Sequence, residues 1–99
     1  MSISSFMKAH ESEIKNIISD LSNDFSSHDF IEKFSKKYES EYIDMLVSYK
    51  GREAFKTVHA QIAKQLSSDM RTYGIAKSKK DSSEHVFGDT DVIQWWEKI

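Results

Sequence analysis

Thr57, Gln61 and Lys64 recur at intervals of four and three residues, the spacing that brings side chains onto one face of an α-helix. Their chemistry is complementary to a nucleic-acid duplex. An amide such as that of Gln61 pairs with adenine, a threonine meets a thymine methyl or a phosphate, and an ammonium neutralises a phosphate. Lys56 and Arg71 extend the same stretch at either end, and Lys77, Lys79 and Lys80 follow it. A helix of short polar side chains with basic groups beside it is what a major groove admits. A chance run of solvated lysines gives the same count, so the charge distribution has to be read along the whole chain.

That distribution is uneven. Residues 50–80 carry Lys50, Arg52, Lys56, Lys64, Arg71, Lys77, Lys79 and Lys80 against Glu53 and Asp69, a local balance of +6 within a chain of net charge -2. The segments on either side, 1–49 and 81–99, each come to -4. Positive charge concentrated on one amphipathic segment is the electrostatic footprint of a nucleic-acid binder.

Other chemistries find little support. His10, His28, His59 and His85 are far apart, with no His-x-x-x-His pair and no acidic partner at ligand spacing. The carboxylates Glu11, Glu13, Glu39, Glu41 and Asp44 fall where solvated helix faces are expected, and no glycine-rich phosphate loop or Gly-x-Ser-x-Gly elbow occurs. The expectation is a protein without catalytic residues, metal, cofactor or small-molecule substrate. Tyr38, Tyr42 and Tyr49 could stack on single-stranded bases, but tyrosines at spacings of four and seven more often line a core edge.

The elements that must position these residues follow from pattern. Ninety-nine residues suit one domain spanning 1–99. There is no cysteine, no apolar signal-peptide core and no run near the roughly 20 apolar residues that span a bilayer. A cytoplasmic protein that does not enter membranes is expected. Phe6, His10, Ile14, Ile17, Ile18, Leu21 and Phe25 predict one helix over 5–23, capped by Ser4 or Ser5. Asp24-Phe-Ser-Ser interrupts it, and Ser26 with Asp29 predicts a capping box at the start of the next helix. Phe30, Ile31 and Phe34 form that helix's buried stripe. Tyr38–Tyr49 continue it, either after a break near 37–39 or in one bent helix, until Gly51.

Phe55, Val58, His59, Ile62, Leu66, Met70 and Tyr73 predict a helix over 54–73 that Gly74 stops. Residues 77–80 then read as a flexible polar loop. His85–Phe87 and Val92–Trp96 are β-prone, flank the turn 88–91 and predict an antiparallel hairpin, with Ile75–Lys77 as a candidate third strand. The fold class is therefore mainly α with a small C-terminal β-hairpin, three to four helices followed by a wing.

With that order in place, Phe25–Ile31 and Val58–Leu66 resemble the second and third helices of bacterial and phage winged helix-turn-helix domains. Ser83–Gly88 followed by Trp95-Trp96 is similar to a wing with an aromatic closing strand. The resemblance implies a transcriptional or mobile-element regulator. Its helix near 54–73 would read duplex DNA through Lys56, Thr57, Gln61, Lys64 and Arg71, and Lys77, Lys79 and Lys80 would hold phosphate. The insert at 38–49 and the acidic first helix depart from that pattern. They leave a second expectation, a protein-interaction module (adaptor, inhibitor or homodimer) using the 38–49 helix or the Trp95-Trp96 end. Neighbouring strand residues face opposite ways. The more apolar Ile93–Trp95 set predicts Trp95 buried, with Trp96 and Phe87 left as an interface patch.

Overall fold

The computed structural model describes residues 2–84 and 90–99. The helix predicted over 5–23 is two helices, α1 (Ile3–Ala9) and α2 (Glu11–Ser19). They meet at His10, whose backbone leaves the helical region at φ -114° and ψ 33°. Its Nδ1–H donates to the Phe6 carbonyl at 2.8 Å, and its ring stacks on Phe6 with centroids 4.2 Å apart. A side chain that bonds the carbonyl one turn back competes with the helical ladder and bends the chain. The bend lets Ile3 and Met7, which lie off the predicted stripe, join Phe6, Ile14, Ile17 and Ile18 in the core. Ser2 caps α1, its hydroxyl accepting the Ser5 N–H, so the cap lies earlier than Ser4 or Ser5.

The interruption that follows is a short strand, β1 (Asp24–Ser26). It runs directly into α3 (Ser27–Lys37), whose start is the predicted capping box. Ser26 Oγ accepts the Asp29 N–H at 3.1 Å, and the Asp29 carboxylate accepts the Ser26 N–H at 3.0 Å. Two otherwise unpaired amides are thereby satisfied. Phe30, Ile31 and Phe34 are buried as predicted. Tyr38 separates α3 from α4 (Glu39–Ser48), so the chain breaks here and is not one bent helix.

The helix predicted over 54–73 is also divided, into α5 (Ala54–Ser68) and α6 (Met70–Tyr73). At the joint, Gln65 Nε2 donates both to the Asp69 carboxylate and to Tyr73 Oη. Gly74 ends α6 at φ 70°, a left-handed conformation that glycine adopts without a Cβ penalty. Phe55, placed by periodicity in the core, is 47% exposed at the start of α5.

After Gly74 the chain forms β2 (Ile75–Glu84) and β3 (Thr90–Lys98), and the sheet order is β1-β3-β2, antiparallel throughout. The hairpin exists, and the described part of its first arm is β2, which pairs with β3 from Ile75 onward. Ile75 pairs with Lys98 and Glu84 with Thr90, with an irregularity between Lys77 and Lys80. Residues 85–87 lie outside the described residues, and Thr90 and Asp91 of the predicted turn belong to β3. The 77–80 loop is therefore strand. Lysine and serine have weak strand propensity, but pairing with β3 overrides it, and lysines on an edge strand discourage pairing with other chains.

The Trp register is the reverse of the prediction. Trp96 is buried and Trp95 half-buried. Trp96 pairs with the buried Phe25 of β1, and both enter the core with Phe30, Phe34, Ile62 and Leu66. β1 is three residues long and pairs only with residues 95–97 of β3. Val92 lies beyond that contact and is 73% exposed. Val92 shares the strand face of Trp96, so that face is buried only where β1 covers it, a long-range contact that an apolar count over 92–96 does not register.

Candidate nucleic-acid interface

α5 turns Val58, Ile62, Gln65 and Leu66 inward. Lys56, Ala60 and Lys64 are exposed on its other side, and the helix contains no Asp or Glu. Lys56 and Lys64 are eight residues apart, about 12 Å along the axis at 1.5 Å per residue. Glu53, just before the helix, has φ 51° and ψ 59°, a left-handed backbone that costs a non-glycine residue about 1–2 kcal/mol. No side chain caps α5, and its first turn holds no acidic residue.

Thr57 and Gln61 are already engaged. Thr57 Oγ1 donates to the Arg52 carbonyl at 3.0 Å, and Gln61 Nε2 donates to Tyr49 Oη at 2.7 Å. Both tie α5 to the turn after α4, so neither polar group is free in the structure as it stands. The outward face consists instead of Lys56, Ala60 and Lys64. Helical periodicity places Ala60 opposite the apolar stripe, and it is exposed there.

The remaining cations are dispersed. Arg71 is exposed on α6, beyond the bend at Asp69, and Lys77 and Lys80 are exposed on β2. Lys79 is committed within the protein: its Nζ lies 3.9 Å from Asp24, 3.6 Å from Asp81 and 5.0 Å from the Trp95 ring centroid. Among the described residues, Lys56, Lys64, Arg71, Lys77 and Lys80 form no ion pair.

The expected interface patch at the C-terminal end changes accordingly. Trp96 is inside the protein and unavailable to a partner, and Phe87 lies outside the described residues. Trp95 takes the outer position. Its Nε1–H donates to the Asp81 carbonyl at 3.3 Å, and Lys79 covers its ring.

The tyrosines belong to the core edge. Tyr42 is buried and its hydroxyl is 2.6 Å from His59 Nε2, while Tyr38 packs edge-on against Phe6 with centroids 5.1 Å apart. The Tyr38 hydroxyl is buried and has no hydrogen-bond partner among the described residues. Burial raises its pKa above the ordinary 10.0, with the negative charges of Glu13 and Glu41 adding to the effect. Burial also raises Tyr42 and Tyr73, the latter opposed by its bond from Gln65. Among the described residues no cluster of His, Asp or Glu has the arrangement to hold a metal ion, and no helix is long and apolar enough to cross a membrane.

A cleft of about 220 Å³ lies between α1 and α4, with Phe6, Met45 and Tyr49 among its lining and Glu41 and Asp44 supplying carboxylates. Comparison of the chain with protein-family models, curated proteins and solved structures finds no match.

Proposed function

We propose that this protein is a small winged-helix DNA-binding regulator that presents α5 to the major groove. The observation that carries the reading is the α5 face itself: Lys56, Ala60 and Lys64 exposed along a helix with no acidic side chain, in a chain whose other segments are acidic. The small Ala60 between two ammonium groups leaves room for close approach to a duplex, and the lysines supply phosphate contacts. The uncapped start of α5 adds backbone N–H groups with the positive end of the helix dipole. The element order also favours the reading. α6, which continues the chain from α5, leads through Gly74 directly into β2, and the hairpin packs against α6 and α3.

Lys77 and Lys80 then serve as backbone contacts from the wing, while Lys79 stabilises the hairpin. Sequence preference falls less on Gln61 than its position in the helix suggests, because its amide serves Tyr49. The binding is expected to be dominated by phosphate neutralisation and thus strongly salt-dependent.

The test is fluorescence anisotropy with a labelled random duplex, titrated between about 50 and about 200 mM salt. Wild-type protein should bind with an affinity that falls linearly on a log–log plot. Replacing Lys56 and Lys64 together with alanine should shrink the slope by about 1.8, at about 0.9 for each phosphate no longer neutralised. Absence of binding at the lowest salt, or a slope untouched by the double substitution, removes this reading.

A further inference from the structure

We infer that the outer face of α4 is a two-fold self-association surface that pairs with α4 of a second copy in antiparallel orientation. Ile43 and Val47 lie one turn apart on this helix and are 51% and 63% exposed. Elsewhere the same helix turns Tyr42, Met45 and Leu46 toward the core. Two β-branched apolar residues in register leave half or more of their surface in solvent, and paired apolar faces of this kind mark contact surfaces.

The charges around them select the occupant. Glu39 lies one turn before Ile43 and Lys50 one turn after Val47, where the Lys50 N–H still bonds the Val47 carbonyl at 3.0 Å. Both are exposed, and neither forms an ion pair among the described residues. A two-fold interface is self-complementary: if one residue meets another, the reciprocal contact also forms. Setting Ile43 against Val47 of the second copy brings Glu39 within one residue of Lys50 of that copy, about 1.5 Å of helical rise. Each dimer thus gains two Ile–Val contacts flanked by two Glu–Lys pairs. In a parallel arrangement the like charges would face each other. The helix therefore fits an inverted copy of itself.

A single ten-residue helix presents less than the roughly 800 Å² per partner of a standard interface, so the association is expected to be weak and concentration-dependent. It does not depend on the DNA-binding reading and is measured without nucleic acid.

Sedimentation velocity over a concentration series of the full chain tests it. The wild type should pass from monomer to dimer as concentration rises. Val47→Glu should raise the dimer dissociation constant by at least about tenfold while leaving the melting temperature nearly unchanged, since the side chain is outside the core. Glu39→Lys or Lys50→Glu alone should weaken the dimer about threefold, and the two together should restore it, because the swap re-forms both pairs in reverse. A protein monomeric at every concentration, a dimer indifferent to Val47→Glu, or a charge swap that fails to rescue overturns the proposal.

Discussion

Trp96 Nε1 donates to Ser27 Oγ at 2.9 Å, and Ser27 Oγ donates in turn to the Gln94 carbonyl at 3.1 Å. One hydroxyl at the first position of α3 therefore satisfies the buried indole of β3 and fastens the backbone of the same strand. The hairpin is held to the helices at this point. A second tie lies close by, where the Ser26 and Ser83 hydroxyls meet at 2.7 Å.

Stability should follow the observed Trp register. Trp96→Ala is expected to cost about 3–5 kcal/mol in urea unfolding, as for other large buried aromatics. Ser27→Ala leaves the indole N–H unsatisfied and should cost about 1–3 kcal/mol. Trp95→Ala, on the outer face, should cost about 1 kcal/mol. Equal losses for the two tryptophans would contradict this register.

The capping box links β1 to α3, so Ser26→Ala should destabilise by about 1–2 kcal/mol. Asp29→Ala removes the reciprocal bond alone and should cost less. Thermal melts of the two variants, compared with the double substitution, check this. Because the two residues share one motif, the double variant should lose less than the separate losses combined.

The residues of α5 should separate into two kinds. Gln61→Ala breaks the bond to Tyr49 and should lower stability by about 1 kcal/mol. Lys56→Ala and Lys64→Ala should stay within about 0.5 kcal/mol of the wild type while weakening duplex binding. Melting temperature and anisotropy measured on the same three proteins distinguish the roles.

Alkali should unfold the protein through its tyrosines. Burial raises the pKa of Tyr38, Tyr42 and Tyr73 above 10.0 in the folded state. The folded chain then keeps protons that the unfolded chain releases. Their contribution is complete below pH 10 and is lost as pH rises through the higher folded values. Tyr38→Phe removes a buried hydroxyl that has no partner among the described residues. It should be neutral or stabilising at about pH 7 and should flatten part of the alkaline loss. Tyrosinate absorbance followed together with circular dichroism reads both effects.

Much of the helical framework was legible in residue order. The stripe Phe30, Ile31 and Phe34, the Ser26–Asp29 box, and the stop at Gly74 depend on neighbours within a few positions, where periodicity and capping chemistry act. The cationic block is likewise a property of composition along the chain. Residue order thus specifies local features: which segments are amphipathic, where they end, and where charge collects.

Contacts between distant segments set the remaining features. His10, which bends the first helix by bonding the Phe6 carbonyl, has its ring packed against Tyr38 from the joint between α3 and α4. Lys77–Lys80 become strand because β3 lies alongside, and Trp96 goes inward because β1, far off in sequence, covers only that end of β3. Gln61 and Lys79 look free for a ligand until Tyr49, Asp24 and Asp81 are placed against them. Side-chain type sets what a group can bond. Which partner it bonds is set by segments brought together over long separations, where pairing and burial outweigh local propensity.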